Sequence, residues 1–145
     1  MTLLNLGQVL IGILLGSALT IQLFVIPGLM ARVSDRSTIT RVCNRILRKH
    51  HTLSLLLLIP AAVFFYLGHK MPALAVAGIL IALNLYQRFW IFTKLHLIKQ
   101  PLGVQDLIQP DNMLREESNR LQKMVYLLFR VHMLLLLIDT VAALL

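Results

Sequence analysis

Two long stretches without a charged side chain bracket a short, strongly basic one, and this arrangement limits what the chain can fold into more than any other feature. Residues 1–31 hold no Asp, Glu, Lys or Arg, and neither do residues 50–69, whereas residues 32–51 between them carry six Arg and Lys. A run of roughly 20 apolar residues can cross the hydrocarbon core of a bilayer as an α-helix, which satisfies its own backbone polar groups without water. The expected fold is all-α: an integral membrane four-helix bundle with spans at about residues 3–31, 52–67, 73–93 and 124–145. Hydrophobic residues make up 58% of the 145, against roughly 45–50% in soluble domains. The chain therefore reads as one transmembrane domain, residues 1–145.

The net charge of +8 does not point to nucleic acid, because the basic residues cluster beside apolar spans and no basic patch with interleaved aromatics stands outside them. Lipid headgroups are the expected counter-charge. The short connections hold six Lys and Arg between spans one and two, one between two and three, and five between three and four (Lys94, Lys99, Arg115, Arg120 and Lys123). Positive charge stays on the cytosolic side, so both termini are expected outside and both long connections, residues 32–51 and 94–123, in the cytosol. The expected location is the plasma membrane, or the inner membrane of a bacterium, as a multi-pass protein. The start of the chain lacks the positive n-region and short apolar core of a cleaved signal, and reads as a retained span. Cys43, the single cysteine, offers neither an internal disulfide nor a zinc set.

In the first span, Gly12 and Gly16 form a GxxxG with Thr20 four residues on. Small residues at this spacing let another helix approach closely, either within the bundle or from a second subunit or copy. Pro27 is expected to kink or end that helix. The stretch 32–51 reads as a basic amphipathic helix that runs into the second span, with Asp35 or Ser37 as its cap and Arg41, Arg45, Arg48 and Lys49 touching headgroups. Residues 94–112, with Pro101, Gly103 and Pro110, show no clear period and read as a loop. A last helix is expected from about Asp111 or Asn112, its first turns in the cytosol with Glu116 and Arg120 spaced for an ion pair.

Five polar residues fall where lipid is expected: Asn84, Arg88, Arg130, His132 and Asp139. Ionisable groups at such depth are candidates for function. Both arginines are close enough to the cytosolic face to reach phosphate, and Asp139 is expected near water at the outer surface. His132 has no such outlet, and three readings stay open for it: an interior histidine bonded to Asn84, Gln22 or a carbonyl, a haem or metal ligand, or part of a proton path with Asp139. A second ligand is hard to find, since His50, His51 and His96 are expected at the cytosolic edge and His69 at the outer end. Arg48-Lys49-His50 and Arg130-Val131-His132 each precede a Leu-rich run, a faint repeat of two hairpins. No nucleophile with its base, paired carboxylates or phosphate loop is legible. The expectation is therefore a non-catalytic accessory or interaction subunit of a membrane complex, partnered by the bilayer and by other subunits or copies of itself. The alternative is a haem- or metal-binding membrane redox protein using His132, with haem b as its cofactor.

Val25-Ile26-Pro27-Gly28-Leu29-Met30 closing the first span, Asp35-Arg36 just after it and Phe129-Arg130-Val131-His132 in the last span carry a resemblance. The chain resembles a family of small four-span membrane proteins of unknown function related to the copper-resistance D-type membrane domain. The resemblance implies the four-span layout and supplies no chemistry. In size and span number the chain is also similar to the membrane-bound, haem-associated protoporphyrinogen oxidase, a family with a histidine in the first span, where this sequence has none.

Overall fold

The computed structural model describes residues 3–105 and 112–144. They form four long helices and, among the described residues, no strand. Helix α1 comprises Leu3–Thr20, a π-helical turn Ile21–Val25, and Ile26–Arg32; α2 is Arg36–Leu67. Helix α3 comprises Met71–Tyr86, a second π turn Gln87–Ile91, and Phe92–Gln105; α4 is Asn112–Leu144. Four stretches are long and apolar enough to cross a membrane: Asn5–Arg32, Thr38–Leu67, Met71–Ile98 and Arg115–Leu144.

Each helix packs on its neighbours in sequence, and α4 closes the ring against α1. Helices α2 and α4 therefore face each other across one diagonal of the bundle. Buried positions recur three and four residues apart: Ile11, Leu14 and Ala18 on α1; Leu47, Ser54, Leu58, Ala61 and Phe65 on α2; Ala73, Ala77, Leu80 and Asn84 on α3; Val125, Phe129, His132, Leu136 and Asp139 on α4. That spacing keeps one stripe of each helix facing inward along the bundle. The outward faces are apolar as well, with Phe24, Leu56, Leu134 and Phe89 all more than half exposed. Large apolar side chains presented on all sides suit lipid rather than water.

Asp35 opens α2, its carboxylate accepting from the Thr38 backbone N–H at 3.1 Å and from the Thr38 hydroxyl, as an N-cap does. At the other end, His69 takes φ 55°, Lys70 N–H reaches Phe65 C=O at 2.9 Å and His69 N–H reaches Tyr66 C=O at 3.1 Å. This pair of bonds ends a helix on a left-handed residue, a place usually held by glycine.

Three local expectations change. Helix α1 continues through Pro27 to Arg32, because the π turn just before it opens the ladder where proline lacks an N–H and crowds the preceding turn. Residues 94–105, read as loop, are a helical continuation of α3 through Pro101; Ile91, Phe92, Leu95 and Ile98 bury on one side there, and that packing overrides the breakers. Residues 106–111, with Pro110 and the expected start at Asp111, lie outside the described residues. Third, Gly12 and Gly16 do not pack inside this bundle: both are exposed, and a Cβ on either would meet nothing within 4 Å. On the same helix it is Gly7 that admits a close neighbour, since a Cβ there would lie 2.8 Å from the Phe65 ring.

Candidate functional site

A layer of polar side chains crosses the bundle core near the middle of α2. His50, His51 and Ser54 come from α2, Asn84 and Gln87 from α3, and His132 from α4, every one of them buried. The expectation that no histidine shares the depth of His132 is wrong. The His50 and His132 ring centroids are 5.8 Å apart, His51 and His132 5.7 Å, and His50 and His51 6.1 Å. Phe129 caps the group at 5.4 Å from His50, with Phe92 at 5.9 Å from His51. Charge along the sequence gave the wrong depth because Arg48 and Lys49 point outward while the next two residues of the same helix turn into the core.

Hydrogen bonding fixes how the layer is protonated when neutral. The Asn84 amide N–H donates to Leu80 C=O at 2.8 Å, so its oxygen faces His51 Nδ1 at 2.6 Å. An amide oxygen only accepts, and Nδ1 of His51 therefore carries the proton. The Ser17 hydroxyl spends its proton on Leu14 C=O at 2.8 Å, which leaves its oxygen to accept from His50 Nδ1 at 3.4 Å. Both rings then present a bare Nε2, and neither Nε2 has a hydrogen-bond partner. The Gln87 amide adjoins His51 without completing a bond. On His132 the order reverses: Nδ1 faces the Asn84 amide nitrogen at 3.4 Å and Nε2 lies 3.3 Å from Ser54 Oγ, itself reached by Asn84 Nδ2 at 3.3 Å. The interior-histidine reading of His132, bonded to Asn84, is what the geometry displays; the lone pairs of His50 and His51 are what it adds.

Among the described residues no three His, Cys, Asp or Glu side chains stand ready to hold a metal ion. The spacing is nonetheless close to one that can: a point equidistant from three rings so spaced lies about 3.4 Å from each centroid, and a metal about 2.0 Å from an imidazole nitrogen lies roughly 3.2 Å from that ring's centroid. Haem fits less well, since the three rings touch and leave no slot for a porphyrin between them.

The other polar candidates separate. Asp139 is fully buried rather than near water, and both its carboxylate oxygens lack a hydrogen-bond partner. It stands seven residues from His132, about 10 Å along the helix. Arg130 is exposed on the outside of α4. Arg88 donates to the Thr52 hydroxyl. Of the four expected headgroup contacts, Arg41, Arg45 and Arg48 line one cavity between α2 and α3. Lys49 is exposed elsewhere on the helix. The described ion pair of the basic end joins Lys94 on α3 to Glu117 on α4 at 3.0 Å. His50, His51 and Ser54 were missed as core groups, although their 3–4 spacing with Leu47 and Leu58 was a legible signal. Comparison of the chain with protein-family models, with curated proteins and with solved structures found no match in any of the three.

Proposed function

We propose that the chain is a multi-pass membrane protein whose bundle core binds one first-row transition-metal ion through His50, His51 and His132. The observation that carries the reading is the pair of buried Nε2 lone pairs on His50 and His51, each fixed by a hydrogen bond at the opposite ring nitrogen. A buried polar atom without a partner costs about 1–3 kcal/mol, which packing alone gives no reason to bear twice in one layer. Metal-bound histidines typically donate their other ring N–H to an oxygen, as His51 does to Asn84 and His50 to Ser17. Imidazole suits zinc, copper, iron and nickel. Among the described residues no carboxylate stands in the layer to offset the ion's charge, which favours a low charge state. Closure takes rotation of the rings: turning His50 and His51 gives up no bond at Nε2, whereas His132 must exchange its contact with Asn84 or Ser54 for the ion.

The basic connections support an arrangement with both termini outside and the Arg-rich end in the cytosol of a plasma or inner membrane. The test is elemental analysis of protein taken from its native membrane, followed by reloading of chelator-stripped protein with zinc, copper(I) and nickel. About one ion per chain is expected, lost in His51→Ala and His132→Ala and kept in His69→Ala. No metal in native protein and no uptake on reloading, or a content unchanged in His51→Ala, overturns the reading. A visible spectrum with a Soret band that disappears in His132→Ala would assign the layer to haem instead.

A second reading rests on a different face. Gly12 and Gly16 lie open on α1, which supports an accessory role in which a partner's helix docks there. Replacing both by Leu is expected to release a co-purifying subunit; unchanged co-purification and oligomeric size count against it.

A further inference from the structure

The basic end of the bundle holds two adjoining cavities, of about 380 Å³ and 280 Å³, that share Arg48, Phe92 and His96. Arg41 and Arg45 from α2 complete the first, and Arg88 and Phe89 from α3 complete the second. Among the described residues no carboxylate lines either one. Two of the guanidinium groups are held in place before any ligand arrives. That of Arg48 lies 5.4 Å from the centre of the Phe92 ring, a cation–π contact that fixes its plane. Arg88 spends one of its five N–H donors on Thr52. The remaining donors border a concave space, and a guanidinium fork matches the paired oxygens of a phosphate.

We propose that this cleft is a binding site for a phosphate group, and that the phosphate is the headgroup of an anionic phospholipid. The inference stands on the cleft and is independent of the histidine layer. Three features of α3 favour a lipid over a free anion. Tyr86 and Trp90 stack at 5.2 Å on α3, both exposed, as aromatics do at the level of lipid headgroups. Phe89, 68% exposed, lines the second cavity and offers an apolar surface to a glycerol or acyl chain beside the arginines. The long apolar face of α3 continues directly from there, so a lipid can keep its tails against the helix while its phosphate enters the cleft. Basic pockets between spanning helices on the cytosolic side hold headgroups in this way.

The experiment uses purified full-length protein in a neutral detergent and three probes at matched ionic strength: dihexanoyl phosphatidylglycerol, dihexanoyl phosphatidylcholine and inorganic phosphate. Thermal stability is followed against probe concentration. Phosphatidylglycerol is expected to give a saturable rise in Tm, with phosphatidylcholine and phosphate weaker by about tenfold or more, and the Arg48→Gln/Arg88→Gln double variant is expected to lose about tenfold in apparent affinity. If that variant is not monodisperse, Arg45→Gln alone, at the rim of the first cavity, reports the same loss in smaller degree. Equal effects of phosphatidylglycerol and phosphatidylcholine, or an unchanged titration in the arginine variants, overturn the site. A response to inorganic phosphate as strong as that to phosphatidylglycerol overturns the lipid assignment.

Discussion

Alanine in place of each of three glycines of α1 separates the side of that helix which meets its own bundle from the side which does not. At Gly7 a new Cβ would lie 2.8 Å from Phe65 Cε1, 3.2 Å from Cδ1 and 3.4 Å from Phe64 Cβ. The first distance is shorter than any relaxed contact, so a neighbour must yield. Phe65 is fully buried within the core cluster, and a close-packed interior leaves its ring little room to step aside. Overpacking of this kind costs about 1–3 kcal/mol, while exchanging a helical glycine for alanine returns up to about 1 kcal/mol. Because the Phe65 ring is fully buried, the upper part of that range, about 2–3 kcal/mol, applies, and Gly7→Ala is expected to lose about 1–2 kcal/mol net. At Gly12 and Gly16 only the helix term acts, and the expected change runs from zero to a gain of about 1 kcal/mol each. Reversible unfolding of the isolated chain in mixed micelles of rising SDS fraction, followed by far-ultraviolet circular dichroism, measures all three. A Gly7→Ala variant as stable as the parent, or a Gly12→Ala or Gly16→Ala variant that loses more than about 1 kcal/mol, would refute the packing described for α1.

Other perturbations have equally definite outcomes. His69→Gly relieves the left-handed backbone at φ 55° and is expected to stabilise by about 0.5–1 kcal/mol in the same SDS titration, since a side chain there costs about 1–2 kcal/mol and glycine's extra chain entropy takes part of it back; a loss of stability would contradict the turn. Asp139→Val removes a buried carboxylate with no hydrogen-bond partner and is expected to gain about 1–3 kcal/mol; a loss would mean that the carboxylate is held by a group the bundle acquires in use. Cys43, 1% exposed, is expected to resist maleimide until the chain is unfolded. Topology is therefore read with Arg45→Cys in a Cys43→Ala background, where an impermeant maleimide is expected to label from the cytosolic side alone and labelling only from outside would reverse the orientation.

The four long helices were legible because lipid-compatible runs are long, and a break of charge or a Gly-His-Lys turn between them is hard to misread. The core layer was not, for two physical reasons. Depth was judged from where charge begins along the sequence, yet on a helix Lys49 and His50 point in directions about 100° apart, so a residue next to a surface lysine can be fully buried. Pairing across the diagonal was also out of reach, since nothing local joins His50 and His51 to His132, 81 or more residues away. The weak Arg-x-His repeat did mark two of the three histidines, and His50 and His132 do meet in the core. Pro101 and Gly103 misled in the other direction, as tertiary packing of Phe92, Leu95 and Ile98 carries α3 on past the point where local propensity would stop it. The expected glycine face existed but faced outward, because a GxxxG says how near a helix can come and not which helix does.

The two π turns lie on α1 and α3, the helices of one diagonal, while α2 and α4, which carry the three histidines of the core layer, have none among their described residues. Each turn fits one surplus residue into the helix, which resets the direction of everything after it. In α3 that offset falls between Asn84, which organises the histidines, and Phe92, which supports Arg48. Tightening the turn Gln87–Ile91 into plain α-helix with every residue kept would swing Phe92, Leu95 and His96 round by about 100°. The wall of the basic cleft would then come apart while Leu80 and Asn84 kept their places. The π turn thus acts as a phase adjuster between two halves of the molecule, letting the interior layer and the charged end be shaped by different residues of one unbroken helix.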